Sequence, residues 1–188
     1  AEAHMKKDVK NWIGGHVRAF KYFGGVTEIE VIDNLKAGVK SPCFYDPEIN
    51  PTFHDMASHY GIAVIPARNR KPKDKAKVEI GIKTVEQTIL AALRKRTFFS
   101  IQQLNQAIRE ILEELNNREM KHLGKSRKQL FQLLDQPNLK PLPQNPYEYA
   151  DYKLARVGID YHARYDHNYY SVPYQHVHRK VEIRATEK

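Results

Sequence analysis

A single cysteine, Cys43, in 188 residues excludes an internal disulfide and any zinc site built from several cysteines. No apolar run is long enough to cross a bilayer, and the opening AEAHMKKD lacks the apolar core of a signal peptide. A soluble protein of a reducing cytoplasm is therefore expected. The nine histidines show neither HExxH nor paired Cys/His spacing, so they read as scattered surface or stacking residues rather than metal ligands. There are no internal repeats. Acidic charge is the other shortfall: 22 Asp and Glu stand against 31 Lys and Arg, a net charge of +9. That balance favours a nucleic-acid partner over acidic small molecules.

What the chain does have is concentrated between Arg68 and Glu86, RNRKPKDKAKVEIGIKTVE. The ten residues from Arg68 to Lys77 carry six positive charges and one negative, Asp74. Beyond Asp74 the pattern turns helical as far as about Thr97, with Val78, Ile82, Val85, Ile89 and Leu93 on one apolar stripe. Lys75, Glu79, Lys83 and Glu86 form a separate polar face.

Upstream, Val9, Trp12, Ile13, Val17, Phe20 and Phe23 keep helical spacing, with Asp8 as N-cap and Gly24-Gly25 as the stop. Gly14 and Gly15 weaken that helix, which predicts close packing there. Glu28 to Ile32 alternates and reads as a strand, placing Asp33 at its C-terminal end, the edge where α/β sites are usually built. A polar connection from Lys36 to Ile49 leads to Asn50-Pro51, an N-cap and a proline at the first helical position. Phe53, Met56, Ala57 and Tyr60 mark the buried stripe of a short helix that Gly61 ends, and Ile62 to Ile65 reads as a buried strand. Ser100 and Gln103, then Ser126 and Gln129, form capping-box signals for two further helices. The core face of the first carries Ile101, Leu104, Ile108, Ile111, Leu112 and Leu115; the second, a shorter helix, holds Leu130, Leu133 and Leu134. Residues 137–146 hold four prolines and read as a domain linker. Past it lie eight of the eleven tyrosines, with alternation at Val157, Ile159 and Tyr161, a turn at Asp166-His167-Asn168, and alternation again at Tyr170-Ser171-Val172 and Val181-Glu182-Ile183. A small antiparallel β module is expected, still alternating at the end of the chain.

Asp33 and Glu79 are the two carboxylates that this order brings to one sheet edge. Oxygen-only ligands suit hard cations such as Mg²⁺ or Mn²⁺, and two such ions can assist an in-line displacement at phosphorus. Simpler readings stand beside this one. An Asp at a strand end commonly caps a turn, a Glu with Lys at i+4 is commonly a solvated pair, and a basic loop is often plain surface.

The segments FGG at Phe23 to Gly25, DNLK at Asp33 to Lys36, YGIAVIPARNRKPKDKAKVE at Tyr60 to Glu79, NPYEYA at Asn145 to Ala150 and YYSVPY at Tyr169 to Tyr174 resemble the IstA transposases of the insertion-sequence-21 group, in the same order over nearly the whole chain. The resemblance implies a DDE transposase of the retroviral-integrase superfamily. Its implied fold class is α/β: the C-terminal portion of a ribonuclease-H-like catalytic core with added helices (residues 1–136), the linker, and a small, incomplete β-barrel domain (residues 147–188). Asp33 and Glu79 would be the second and third acids of the triad and hold Mg²⁺ or Mn²⁺, as two ions. Asn34, Arg68, Arg70, Lys71, Lys73, Lys75, Lys77 and Lys83 would contact DNA. The first acid would lie on a core strand upstream of Ala1, so a longer protein is expected; Asp8 precedes a helix and does not take that role. The resemblance further implies metal-dependent 3′-end cleavage and strand transfer, transposon-end and target DNA as partners, a homo-oligomer on DNA, an AAA+ ATPase helper, no membrane, and a nucleoid-associated cytoplasmic location. The alternatives are a non-catalytic DNA-binding and assembly module, or another integrase or nuclease of the same fold.

Overall fold

The computed structural model describes residues 1–32, 39–41, 48–66 and 76–186. Helix α1 (Val9–Phe23) starts where the Asp8 carboxylate accepts the Asn11 N–H at 2.8 Å. It stops at Gly24, whose φ of 75° is the left-handed conformation a C-cap needs, and the Gly24 N–H donates to the Phe20 carbonyl. Strand β1 (Ile29–Ile32) follows. Strands β2 (Val39–Ser41) and β3 (Glu48–Ile49) form a short antiparallel pair within the stretch expected to be a plain connection. At three and two residues they are too short to show alternation.

Helix α2 (Pro51–Tyr60) is capped by Asn50, which accepts from the Thr52 and Phe53 N–H groups, and ended by Gly61 at φ 64°. Strand β4 (Ala63–Pro66) runs parallel to β1, from Ile29 opposite Ala63 to Ile32 opposite Pro66. Helices α1 and α2 cover one face of this pair, burying Ile13, Phe20, Ile32, Phe53, Met56 and Ile62 together. The expectation of a fully buried strand is corrected here. Ile65 is 48% exposed, and on the same face Ile29 and Val31 are 52% and 58% exposed, because among the described residues only one face of the ladder is covered.

The next helical rod consists of α3 (Ala76–Val85), a wide π turn (Glu86–Leu90) and α4 (Ala91–Leu93), so it ends short of Thr97. Helix α5 (Ile101–Asn117) packs against its C-terminal part, where Ile89 and Leu93 meet Ala107 and Ile108. The continuous stripe expected along the rod is thus covered over half its length. Val78 and Ile82 are exposed, because α5 does not reach them. At the start of α5 the Ser100 hydroxyl accepts the Gln103 N–H, while the Gln103 side chain accepts from Phe99 rather than from Ser100.

A tight hairpin, β5 (Glu119–Met120) and β6 (Lys125–Ser126), leads to α6 (Arg127–Leu130), where Ser126 and Gln129 complete a reciprocal capping box. The chain then widens into a π turn (Phe131–Asp135) and tightens into a 3-10 turn (Gln136–Asn138). Those changes of pitch break the helical phase expected of a single short helix, and Leu133 and Leu134 are exposed. The proline-rich stretch lies against the α1 exit: Val26 and Lys140 exchange backbone hydrogen bonds of 3.0 and 2.8 Å. A Cβ on Gly25 would sit 2.7 Å from Leu139 Cβ and 2.8 Å from the Lys140 carbonyl. The backbone approach predicted for Gly14 and Gly15 is therefore made at Gly25; a Cβ on Gly14 would meet the Arg18 guanidinium, the end of a flexible side chain.

The C-terminal strands are β7 (Ala150–Arg156), β8 (His162–Tyr165), β9 (Asn168–Ser171) and β10 (Lys180–Thr186). They pair antiparallel as β7 with β10 and β8 with β9. Asp166 and His167 make the turn read from the sequence, at φ 44° and 64°. The alternation at Val157, Ile159 and Tyr161 is a connection, not a strand, with Tyr161 at φ 63°. Among the described residues the four strands form two separate ladders and no closed barrel.

Candidate functional site

Parallel pairing brings the C-terminal ends of β1 and β4 side by side, since Ile32 is opposite Pro66. From one end the chain continues to Asp33, from the other into the basic segment and α3. Asp33, Asn34, Arg68, Arg70, Lys71, Lys73 and Lys75 lie outside the described residues. Lys77 falls in the first turn of α3. Glu79 lies in that turn as well and is exposed, and Lys83, one turn later, is exposed too. A carboxylate in the first turn is favourable toward the positive end of the helix dipole. Among the described residues neither side chain has an ion pair or hydrogen bond, so Lys83 does not close on Glu79 as the solvated-pair reading expects. No group of three His, Cys, Asp or Glu that could hold a metal occurs among the described residues.

Sequence reasoning passed over a charged pair behind this edge. Glu30 shares the inward face of β1 with Ile32, and its carboxylate lies 3.0 Å from His16 Nε2 on α1. His16 Nδ1 lies 2.8 Å from the Trp12 carbonyl, and its ring is edge-on to Trp12 and Phe53. Both ring nitrogens thus face acceptors, an arrangement that only the imidazolium satisfies with two N–H donors. Burial works to lower the His16 pKa, but the hydrogen bond and charge of Glu30 together with the Trp12 carbonyl outweigh it, and the net shift is upward. The signal for this pair was parity: an acid two residues before a buried isoleucine must point inward.

A second cluster ties the C-terminal strands to α2. The Tyr147 hydroxyl donates to Asp55 Oδ2 at 2.8 Å, Arg184 Nη2 stands 3.6 Å from the same oxygen, and Arg184 Nε donates to the Tyr152 hydroxyl. The Tyr147 N–H donates to the Tyr60 hydroxyl. Burial, then the bond to Asp55 and its charge, push the Tyr147 phenol well above its usual pKa, so it stays a donor. No local pattern marks the contacts of Tyr147 with Tyr60 and Asp55, 87 and 92 residues apart in the chain.

Residues 142–188 match the family described as Mu transposase, C-terminal domain. The whole chain is 47% identical to a Sinorhizobium fredii protein that carries the name transposase y4bL/y4kJ/y4tB, covering 36% of that protein. It is 46% identical over 184 residues to a Burkholderia multivorans protein named as the transposase for insertion sequence IS408, of which it also covers 36%. To the transposase for insertion sequence element IS21 of Pseudomonas aeruginosa it is 30% identical over 185 residues, 98% of this chain and 47% of that one. The chain thus spans between about a third and a half of the length of these relatives. Among solved structures, a chain of the simian T-cell lymphotropic virus intasome in complex with PP2A regulatory subunit B56 gamma superposes with a TM-score of 0.54 over 95% of this chain and 66% of that one. At 15% identity that likeness shows a shared mixed α/β fold. Read together with matches that run along nearly the whole of this chain, the resemblance found in the sequence holds: this chain is a relative of the insertion-sequence transposases, that of IS21 among them.

Proposed function

We propose that the chain is part of a DDE transposase that cuts and joins DNA at the ends of an insertion sequence. The observation that carries this reading is the parallel register of β1 and β4, whose chain exits lead from one sheet edge to Asp33 and to the helix of Glu79. In this reading the pair belongs to a larger ribonuclease-H-like sheet. The half-exposed, β-branched face of Ile29, Val31 and Ile65 supports that, since parallel strands are normally covered on both faces. The C-terminal ladders are pieces of a small barrel domain, residues 147–188, joined to the core region by residues 137–146.

Asp33 and Glu79 would hold a divalent cation. The exposed Glu79 carboxylate, uncommitted to any partner among the described residues, fits a hard ion such as Mg²⁺ or Mn²⁺. When bound, such an ion polarises a phosphoryl oxygen and favours attack at phosphorus. Arg68, Arg70, Lys71, Lys73, Lys75, Lys77 and Lys83, with Asn34, would hold the backbone of transposon-end and target DNA, positioning it rather than reading its sequence. Two DNA ends and an AAA+ helper would be brought together by a homo-oligomer. In the full-length enzyme, Glu79→Gln is expected to abolish strand transfer, a larger loss than the roughly 10–100-fold that follows when a metal ligand loses only its outer-shell partner. Retention of DNA affinity in the same protein completes the expectation. Joining at the unaltered rate would overturn the assignment.

A further inference from the structure

We propose that the turn between α4 and α5, residues 94–99, is a second DNA contact, in which Phe99 acts as a wedge at the minor groove and Arg94, Lys95 and Arg96 grip the flanking phosphates. This rests on DNA being the substrate, as proposed above, but not on the carboxylates. Phe98 and Phe99 are treated differently by the fold. Phe98 tucks beside the core of Ile89, Leu93, Ala107 and Ile108, whereas Phe99 stands 90% exposed, more than any other large apolar side chain among the described residues. Burying such a ring is worth about 1.5–3 kcal/mol, a gain this conformation forgoes.

The backbone that presents the ring is held by hydrogen bonds. The Phe99 N–H donates to Gln103 Oε1 at 3.1 Å, the Gln103 N–H to Ser100 Oγ at 3.2 Å, and the Arg96 N–H to the Leu93 carbonyl at 2.9 Å. Beside it opens a groove of about 720 Å³ lined by Arg96, Phe99, Gln102, Gln106, Arg109 and Glu110, whose carboxylate accepts from the Gln106 amide at 3.0 Å. Arg94, Lys95 and Arg96 are exposed. The Lys and Arg ion pairs among the described residues are made by Arg18, Arg118, Lys128 and Arg184 instead.

Arg94 and Lys95 are exposed and without an ion pair among the described residues, and the exposed Arg96 has its guanidinium 5.3 Å over the Phe98 ring. Beside one protruding ring, these cations match the charge and shape of a duplex minor groove, where apolar side chains enter a base step and cations take the phosphates. The Gln102 amide alongside can donate to and accept from base edges, while Gln106 is held by Glu110 and Gln103 by the Phe99 N–H. An apolar protein partner fits less well, because the ring stands among cations and amides rather than in a broad apolar patch.

Duplex binding by the full-length protein, read at several salt concentrations, tests this, with a fluorescent base analogue in the duplex reporting unstacking. Arg94→Gln with Arg96→Gln should lower the slope of log affinity against log salt by about 1.8, the release expected for two phosphate contacts. Phe99→Ala should keep the slope and lose the unstacking signal. If both variants match the unaltered protein while Lys71→Gln with Lys73→Gln still lowers the slope, this turn is not a contact, although DNA remains the partner. Absence of duplex binding by every protein, or recovery of turn-dependent binding only with an acidic protein, overturns the proposal.

Discussion

His16 is the residue through which pH acts on the described core. Its folded pKa is raised, so the protonated form stabilises the fold. For a group raised on folding, that contribution is complete below the unfolded value of about 6.5 and is lost as pH rises through the folded value. The unaltered chain should therefore lose stability in urea as the pH rises above about 6.5, whereas His16→Gln should lack this component. Equal pH dependence in the two proteins would show that the Glu30 contact contributes nothing. Glu30 Oε2 is buried without a hydrogen-bond partner among the described residues, which makes the pair dependent on the one oxygen that faces His16.

Among the elements, the rod from Ala76 to Leu93 is the least uniform. Its stripe of Val78, Ile82, Val85, Ile89 and Leu93 has one chemistry but two environments, covered by α5 at one end and open at the other. Truncation should report the difference. Ile89→Ala removes a side chain that is 1% exposed and is expected to cost about 2–5 kcal/mol, while Val78→Ala is expected to stay within about 0.5 kcal/mol. Chemical denaturation measures both, and similar losses at the two sites would mean that the open half is covered in solution. Periodicity made the rod legible because a helix places i and i+4 on one face whatever surrounds it. Which part of the face is covered depends on where α5 stops, and spacing carries no record of that. The same limit applies to the short helix read over Leu130, Leu133 and Leu134, where π and 3-10 turns change the period.

Across the whole molecule, the Asp55 carboxylate is the charged point at which the C-terminal segment meets α2, beside the Tyr147 contacts to Tyr60 and Thr52. Asp55→Ala removes the acceptor of the Tyr147 hydroxyl and the anion beside Arg184, leaving a half-buried phenol without its charged partner. Amide hydrogen exchange in β7 and β10 should accelerate as a result, while exchange in α5, which packs on a separate core, should not change. Uniform acceleration, or none, would argue that the attachment is made elsewhere, for example through the Val26 and Lys140 bridge.

By itself the sequence determined the local pieces: α1 between Asp8 and Gly24, α2 between Asn50 and Gly61, the box at Ser126 and Gln129, the strand before Asp33, and the basic approach to Glu79. Caps, turns and periodicity act over a few residues, so they are written where they act. Its likeness to insertion-sequence transposases was legible for a related reason, because short blocks recur in the same order. Tertiary structure alone decided that β1 and β4 pair in parallel with one face open, that His16 meets Glu30, that Tyr147 and Arg184 converge on Asp55, and that Phe98 turns inward while Phe99 turns out. Each of those outcomes joins residues far apart in the chain or depends on where a neighbouring element ends. Such contacts are selected by burial and charge pairing summed over the assembled core, a quantity no single window of sequence contains.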